Sequence, residues 1–172
     1  MIRDICLRNM TCLFLVGEDG LLCLYRIGSR VVDRMYVGAA GGHFERDEVN
    51  DPRACMLREM KEELGLEEED LKDLKLRYVA LRLKNGEIRQ NYYYFGSLKE
   101  ARFLESPEGK LEWVSWEKLP ELEMPACAKL AVLHYLREGR YTDEVYGGVA
   151  CKEGTRFVAL EDFGDLRHYT LE

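Results

Sequence analysis

Three glutamates, Glu59, Glu62 and Glu63, stand three and four residues apart within Arg58-Glu59-Met60-Lys61-Glu62-Glu63-Leu64-Gly65-Leu66. Residues at those spacings share a face of an α-helix. The three carboxylates therefore span an arc of roughly 100° at about 100° per residue. Leu57, Met60 and Leu64 fall on a different arc that can face a core. Carboxylate oxygens suit hard cations, and Mg²⁺ is often held by one or two carboxylates together with substrate phosphates. An acidic stripe backed by an apolar one can thus hold Mg²⁺ or Mn²⁺ against a phosphorylated ligand. Such cations neutralise phosphoryl oxygens and lower the pKa of an attacking water. No covalent nucleophile is then needed, and no Ser/His or Cys/His pattern is recognisable in the chain.

On its own, an E-x-x-E-E helix is usually solvated surface. The flanks argue otherwise. Gly41-Gly42-His43-Phe44-Glu45-Arg46-Asp47-Glu48 lies upstream, and Gly65 sits where a helix commonly stops in the left-handed conformation. From Gly42 through Glu48 to Leu66, the string resembles the Nudix box, G-x5-E-x7-R-E-U-x-E-E-x-G-U with U apolar. Every specified residue type is present. One departure stands out: nine residues, Val49 to Leu57, separate Glu48 from Arg58 in place of seven. Asp51-Pro52 reads as an N-cap and a first helical residue. The extra length then falls in the loop, leaving the acidic face intact and Glu48 the position most exposed to the change.

The resemblance implies hydrolysis of a nucleoside diphosphate linked to another group, with Mg²⁺ as cofactor and Mn²⁺ as a substitute. It matches Glu62 and Glu63 to the principal metal ligands, and Glu59 to a further ligand that helps activate water. Arg58 matches a residue that orients the glutamates, and Gly42 the opening glycine that lets the loop pass close to the helix. It implies an α/β/α sandwich on a mixed sheet. Outside the box, Arg26 ends an apolar run where the family often places a phosphate-contacting arginine. Glu108, in Pro107-Glu108-Gly109-Lys110-Leu111-Glu112-Trp113-Val114, resembles a loop glutamate that binds metal or accepts a proton; Glu112 is a weaker candidate. From Thr11 to about Leu160 the chain is most similar to MutT-like 8-oxo-dGTP diphosphatases of bacteria. Alternatives within the superfamily are hydrolases of nucleotide sugars or dinucleoside polyphosphates. A nucleotide-binding module that does not cleave, or isopentenyl-diphosphate isomerase-like chemistry, would also share the fold.

The 172 residues fit one domain. Net charge is −7, which disfavours a nucleic-acid polymer as partner, whereas metal ions can screen a small nucleotide. Met1-Ile2-Arg3-Asp4-Ile5-Cys6 lacks a long apolar leader run, and no stretch approaches the ~20 apolar residues of a membrane span. A cytoplasmic protein, monomer or homodimer, is expected. The six cysteines form no C-x-x-C pair; Cys12, Cys23 and Cys151 lie in apolar runs and read as reduced, buried thiols. His43, His134 and His168 give no metal pattern.

The remaining elements read as strands at Met10–Val16, Leu21–Ile27 and Val31–Gly38, the first two a hairpin. A helix follows at Pro52–Leu64, then strands at Leu74–Leu83 and Ile88–Phe95 around the turn signal Asn85-Gly86. A strand at Leu111–Trp116 and a helix at Pro125–Arg137 come next. A β-hairpin extension closes the pattern at about 144–161, around Lys152-Glu153-Gly154-Thr155. One of Tyr92, Tyr93 and Tyr94 could line a base pocket, and polar atoms of Asn9, Thr11 and Ala126 to Lys129 could meet a purine edge. Helices on both faces of a mixed sheet, α/β or α+β, follow from this order.

Overall fold

The computed structural model describes residues 5–27, 33–102, 104–151 and 153–162. Met1 to Asp4, the start of the expected third strand at Val31, Lys152 of the last turn and His168 lie outside them.

The first strand, β1 (Cys6–Val16), runs through the middle of a mixed sheet. It pairs in parallel with β5 (Glu87–Leu98) over ten residue pairs, from Cys6↔Glu87 to Leu15↔Gly96. β4 (Leu71–Lys84) joins β5 across Asn85 and Gly86, which take φ of 54° and 81°. Positive φ at both central positions is the requirement of a type I′ turn, and Asn-Gly meets it at low cost. Beyond β4, β7 (Tyr146–Cys151) adds in parallel, and β8 (Gly154–Ala159) returns antiparallel on it. The order is β3-β2-β1-β5-β4-β7-β8, with β6 (Gly109–Ser115) on the other edge of β2 (Gly20–Arg26).

The expected hairpin of the first two strands is real but short. β1 and β2 pair only at Leu15↔Leu22 and Val16↔Leu21. Beyond that point β2 pairs with β3 (Met35–Gly38), from Cys23↔Gly38 to Arg26↔Met35. The strands part because residues 38–42 run directly along β1: Thr11 N donates to Gly42 O at 2.9 Å and Leu13 N to Ala40 O at 2.7 Å. Small side chains permit that approach. A Cβ on Gly41 would lie 2.3 Å from the Thr11 carbonyl oxygen, and its φ of 148° disfavours a side chain as well. The opening between β1 and β2–β3 becomes a cleft.

One helix covers each face. α1 (Pro52–Leu64) starts as expected: the Asp51 side chain accepts from Ala54 N at 3.0 Å, Pro52 opens the helix, and Gly65 closes it at φ 64°. Its buried Met56, Met60 and Leu64 pack with Leu13, Leu15 and Leu66. α2 (Ala126–Arg137) lies on the opposite face, its Tyr135 packed in one core with Phe14, Tyr78, Tyr93 and Phe95. This is the α/β/α sandwich on a mixed sheet that the sequence predicts. No helix among the described residues is long and apolar enough to cross a membrane. All six cysteines are free, but Cys151 is exposed, because it stands at the outer end of the β7–β8 edge hairpin.

Candidate active site

α1 carries its glutamates toward the loop at residues 38–48. Glu63 Oε2 accepts from the Gly41 backbone N–H at 2.9 Å. Gly42 lies so close to Glu59 that a Cβ there would fall 2.2 Å from a carboxylate oxygen. That atom ends a flexible side chain, so Gly42→Ala would fold but push the Glu59 carboxylate aside. We expect a stability change under about 1 kcal/mol and a loss of activity of about 10- to 100-fold, read by thermal melting beside steady-state kinetics.

Arg58 is the hub of the site. Its Nε and Nη2 donate to the two oxygens of Glu48 at 2.7 and 3.0 Å, and Nη1 to Glu59 at 2.9 Å and Glu62 at 3.3 Å. Nη2 also reaches the His43 carbonyl oxygen at 3.1 Å. The longer loop turns at 45–51, where Glu48 N donates to Glu45 O at 3.2 Å and Asp51 N to Glu48 O at 2.8 Å. Glu48 therefore still reaches Arg58, and its side chain is 8% exposed.

The Arg58 guanidinium, opposed by desolvation and helped by the Glu45 backbone N–H, holds the Glu48 carboxyl at about 2, down from 4.5. A folded-state pKa below the unfolded value stabilises the fold above pH 4.5, and that stability is lost as pH falls toward 2. The shift corresponds to about 3 kcal/mol. Chemical denaturation should show the gap between wild type and Glu48→Gln closing as pH drops from 5 to 2. A gap independent of pH would contradict the pairing.

Two carboxylates move the other way. Burial raises the pKa of Glu63, and the negative charge of Glu108 adds to it against the Gly41 N–H. Burial likewise raises that of Glu59. Glu108 is placed by β6: the register Arg26↔Gly109 sets it beside Arg26, with which it forms an ion pair. Glu63, Glu108 and Arg26 line one cleft of about 770 Å³, its open mouth included. Glu112 is elsewhere, held by the Tyr36 hydroxyl at 2.8 Å and by Lys110 at 2.6 Å.

The donor set fits a hard divalent cation. Glu63 and Glu108 are like charges in one cleft, and their mutual cost is what a cation would remove. Among the described residues, no three acidic, His or Cys side chains yet converge as a ready cage. Arg58 engages Glu59 and Glu62, and the Gly41 N–H engages Glu63.

Strand alternation sorts the residues expected to meet a base by the face they occupy. Tyr93 is the tyrosine of its trio that lines the cleft, whereas Tyr94 and Tyr92 pack on the α1 face. Thr11 also borders the cleft, but its hydroxyl lies 3.4 Å from Cys55 Sγ, on the α1 side. Asn9 is not among the lining residues. At α2, Pro125, Cys127 and Ala128 form the wall, while Lys129 Nζ is turned to the Leu119, Pro120 and Leu122 carbonyls. Arg82, Arg89 and Asn91 also line the cleft and were missed by sequence reasoning. A usable signal existed: Arg89 and Asn91 continue, with period two, the face that carries Tyr93 and Phe95.

No curated protein matches the sequence significantly. Solved structures match the fold. The MutT protein of Bacillus halodurans superposes with a TM-score of 0.62 at 24% identity, covering 87% of this chain and 97% of that one. MutT of Methanosarcina mazei gives 0.63 at 16% identity, covering 81% and 99%. A C. elegans Ap4A hydrolase gives 0.59 at 13% identity, covering 76% and 95%. The family model of the NUDIX domain matches residues 7–135, and the chain accordingly belongs to the Nudix family.

Proposed function

We propose that the protein is a metal-dependent nucleotide pyrophosphohydrolase. Its favoured substrate in this reading is 8-oxo-dGTP or another nucleoside triphosphate, cleaved to the monophosphate and pyrophosphate. The observation that carries this is the meeting of Glu63, Glu108 and Arg26 on one cleft, with Glu59 and Glu62 on the same helix as Glu63 and joined to one another through Arg58. Glu59, Glu62 and Glu63 would hold Mg²⁺, which supplies charge neutralisation at the phosphoryl oxygens and a more acidic water.

The chain's own groups do the rest. Arg26 exchanges Glu108 for a phosphate oxygen, a charge-assisted bond of comparable strength. The released Glu108 then stands free to accept a proton, with Glu59 the alternative base. Arg58 keeps Glu59 and Glu62 oriented. The choice of 8-oxo-dGTP is supported by similarity of the box and of the segment from Glu108 to Val114 to MutT-like members. The test is kcat/KM for 8-oxo-dGTP, dGTP, ADP-ribose and diadenosine polyphosphates, reading phosphate and pyrophosphate release separately. A tenfold or greater preference for ADP-ribose or a dinucleotide would replace the triphosphate assignment and retain the hydrolytic one.

Arg26→Ala should raise KM for the triphosphate about 10- to 100-fold with a smaller change in kcat, since it removes a ground-state phosphate contact. An unchanged KM would place the phosphates elsewhere.

A further inference from the structure

We infer that Arg82 reads the base of the bound nucleotide, donating from its guanidinium to a hydrogen-bond acceptor on the ring edge. The inference rests on the nucleotide reading above.

Three arginines stand in a row across three adjacent strands. Arg8 of β1 is opposite Arg89 of β5, and Arg89 is opposite Arg82 of β4. Directly opposed residues share a sheet face. Like charges in register repel, so such a row needs counter-charge. Glu87 supplies it twice, pairing with Arg8 at 3.0 Å and with Arg89 at 2.8 Å. Arg82 receives none. Among the described residues it has no hydrogen-bond or ion-pair partner, and its Nε is buried without one. Among the described residues, only Thr155 Oγ1 is in the same state. Buried polar atoms are nearly always bonded, and an exception calls for a missing partner.

The chemistry of that partner follows from the group. A guanidinium has five N–H donors, no acceptor, and does not lose its proton. It selects an acceptor, and two adjacent acceptors best of all. Its surroundings select a ring. The Arg82 charge is felt at Tyr93 and Cys127. Met10 and Cys12 beside them complete an apolar wall, with the Asn91 amide as a second polar group. A phosphate would forfeit that apolar wall, and Arg26 already serves the acidic end of the cleft. A flat heterocycle uses both the wall and the donors, as base-edge recognition by arginine does elsewhere.

The test is calorimetric titration of wild type, Arg82→Met and Arg82→Lys with 8-oxo-dGMP, dGMP, dAMP, dCMP, dTMP and pyrophosphate. We expect the tightest nucleotide to weaken about 10- to 100-fold in Arg82→Met, with preference among bases flattened, a partial return in Arg82→Lys, and pyrophosphate affinity unchanged. Thermal stability of Arg82→Met should equal or exceed that of wild type, because an unpaired buried donor is removed. Three results would overturn the inference: wild-type discrimination among bases retained in Arg82→Met, pyrophosphate weakened in parallel, or no nucleotide bound by wild type. Hydrolysis is scored separately. A wild-type protein that binds and discriminates bases but cleaves no nucleotide would end the enzymatic reading while leaving the role of Arg82 intact.

Discussion

Glu63→Gln should lower kcat/KM by about 10³-fold, equivalent to about 4 kcal/mol of transition-state stabilisation, while the protein remains folded. The side chain joins the two halves of the site. It accepts from the Gly41 N–H at 2.9 Å and shares the cleft with Glu108 and Arg26. An amide keeps the shape and one acceptor oxygen, so the Gly41 contact can persist. It carries no charge, so it can neither balance a divalent cation nor strengthen as phosphoryl charge redistributes in the transition state. Because burial and Glu108 already oppose ionisation of Glu63, the Gln variant should match or exceed wild type in thermal stability. Loss of activity without loss of stability is the signature to look for. Near wild-type turnover would remove Glu63 from the site.

Arg58→Ala should act on both quantities at once. The guanidinium carries two bonds to Glu48 and one each to Glu59 and Glu62. Truncation leaves the Glu48 carboxylate, 8% exposed, without its counter-charge. Uncompensated buried charges of this kind cost about 3–5 kcal/mol, and water entering the gap would bring the figure toward the lower end. Arg58→Ala combined with Glu48→Gln should recover much of the stability, since the stranded charge is gone. It should not recover activity, because Glu59 and Glu62 stay unguided. A double-mutant cycle in urea, with kinetics on the same four proteins, separates the two effects. Equal losses in the single and double variants would show that Arg58 stabilises the fold through contacts other than Glu48.

The core of the site was legible because helices encode their faces locally. The spacing of Glu59, Glu62 and Glu63, the Asp51-Pro52 start and the Gly65 stop all lie within fifteen residues, and helical periodicity converts them directly into geometry. The Asn85-Gly86 turn was legible for the same reason. The rest depended on long-range register. Whether Arg82 meets the α1 or the α2 side depends on its pairing with Arg89, and β4 shifts register between Lys72 and Lys75 and again between Leu76 and Tyr78. Counting alternation along β4 from its start therefore gives no fixed parity. Thr11 borders the cleft with its hydroxyl beside Cys55 Sγ, whereas its neighbours Met10 and Cys12 take the opposite face and the α2 side of the cleft. The pairing of Arg26 with Glu108 joins residues far apart in the chain and becomes visible only through the register of β2 on β6.

The direct measurement of the central claim is Mn²⁺ binding followed by electron paramagnetic resonance, in the presence of a non-hydrolysable nucleoside triphosphate analogue. Wild type should bind the ion, and Glu62→Gln and Glu63→Gln should each weaken it at least about 10-fold, with the order of loss matching the order of lost hydrolysis. Glu112→Gln, whose carboxylate is held by Tyr36 and Lys110 away from the cleft, should bind as wild type does. Mn²⁺ affinity that is unchanged in both α1 variants would contradict the account, because the helix carboxylates would then not be the metal site on which the proposed hydrolysis depends.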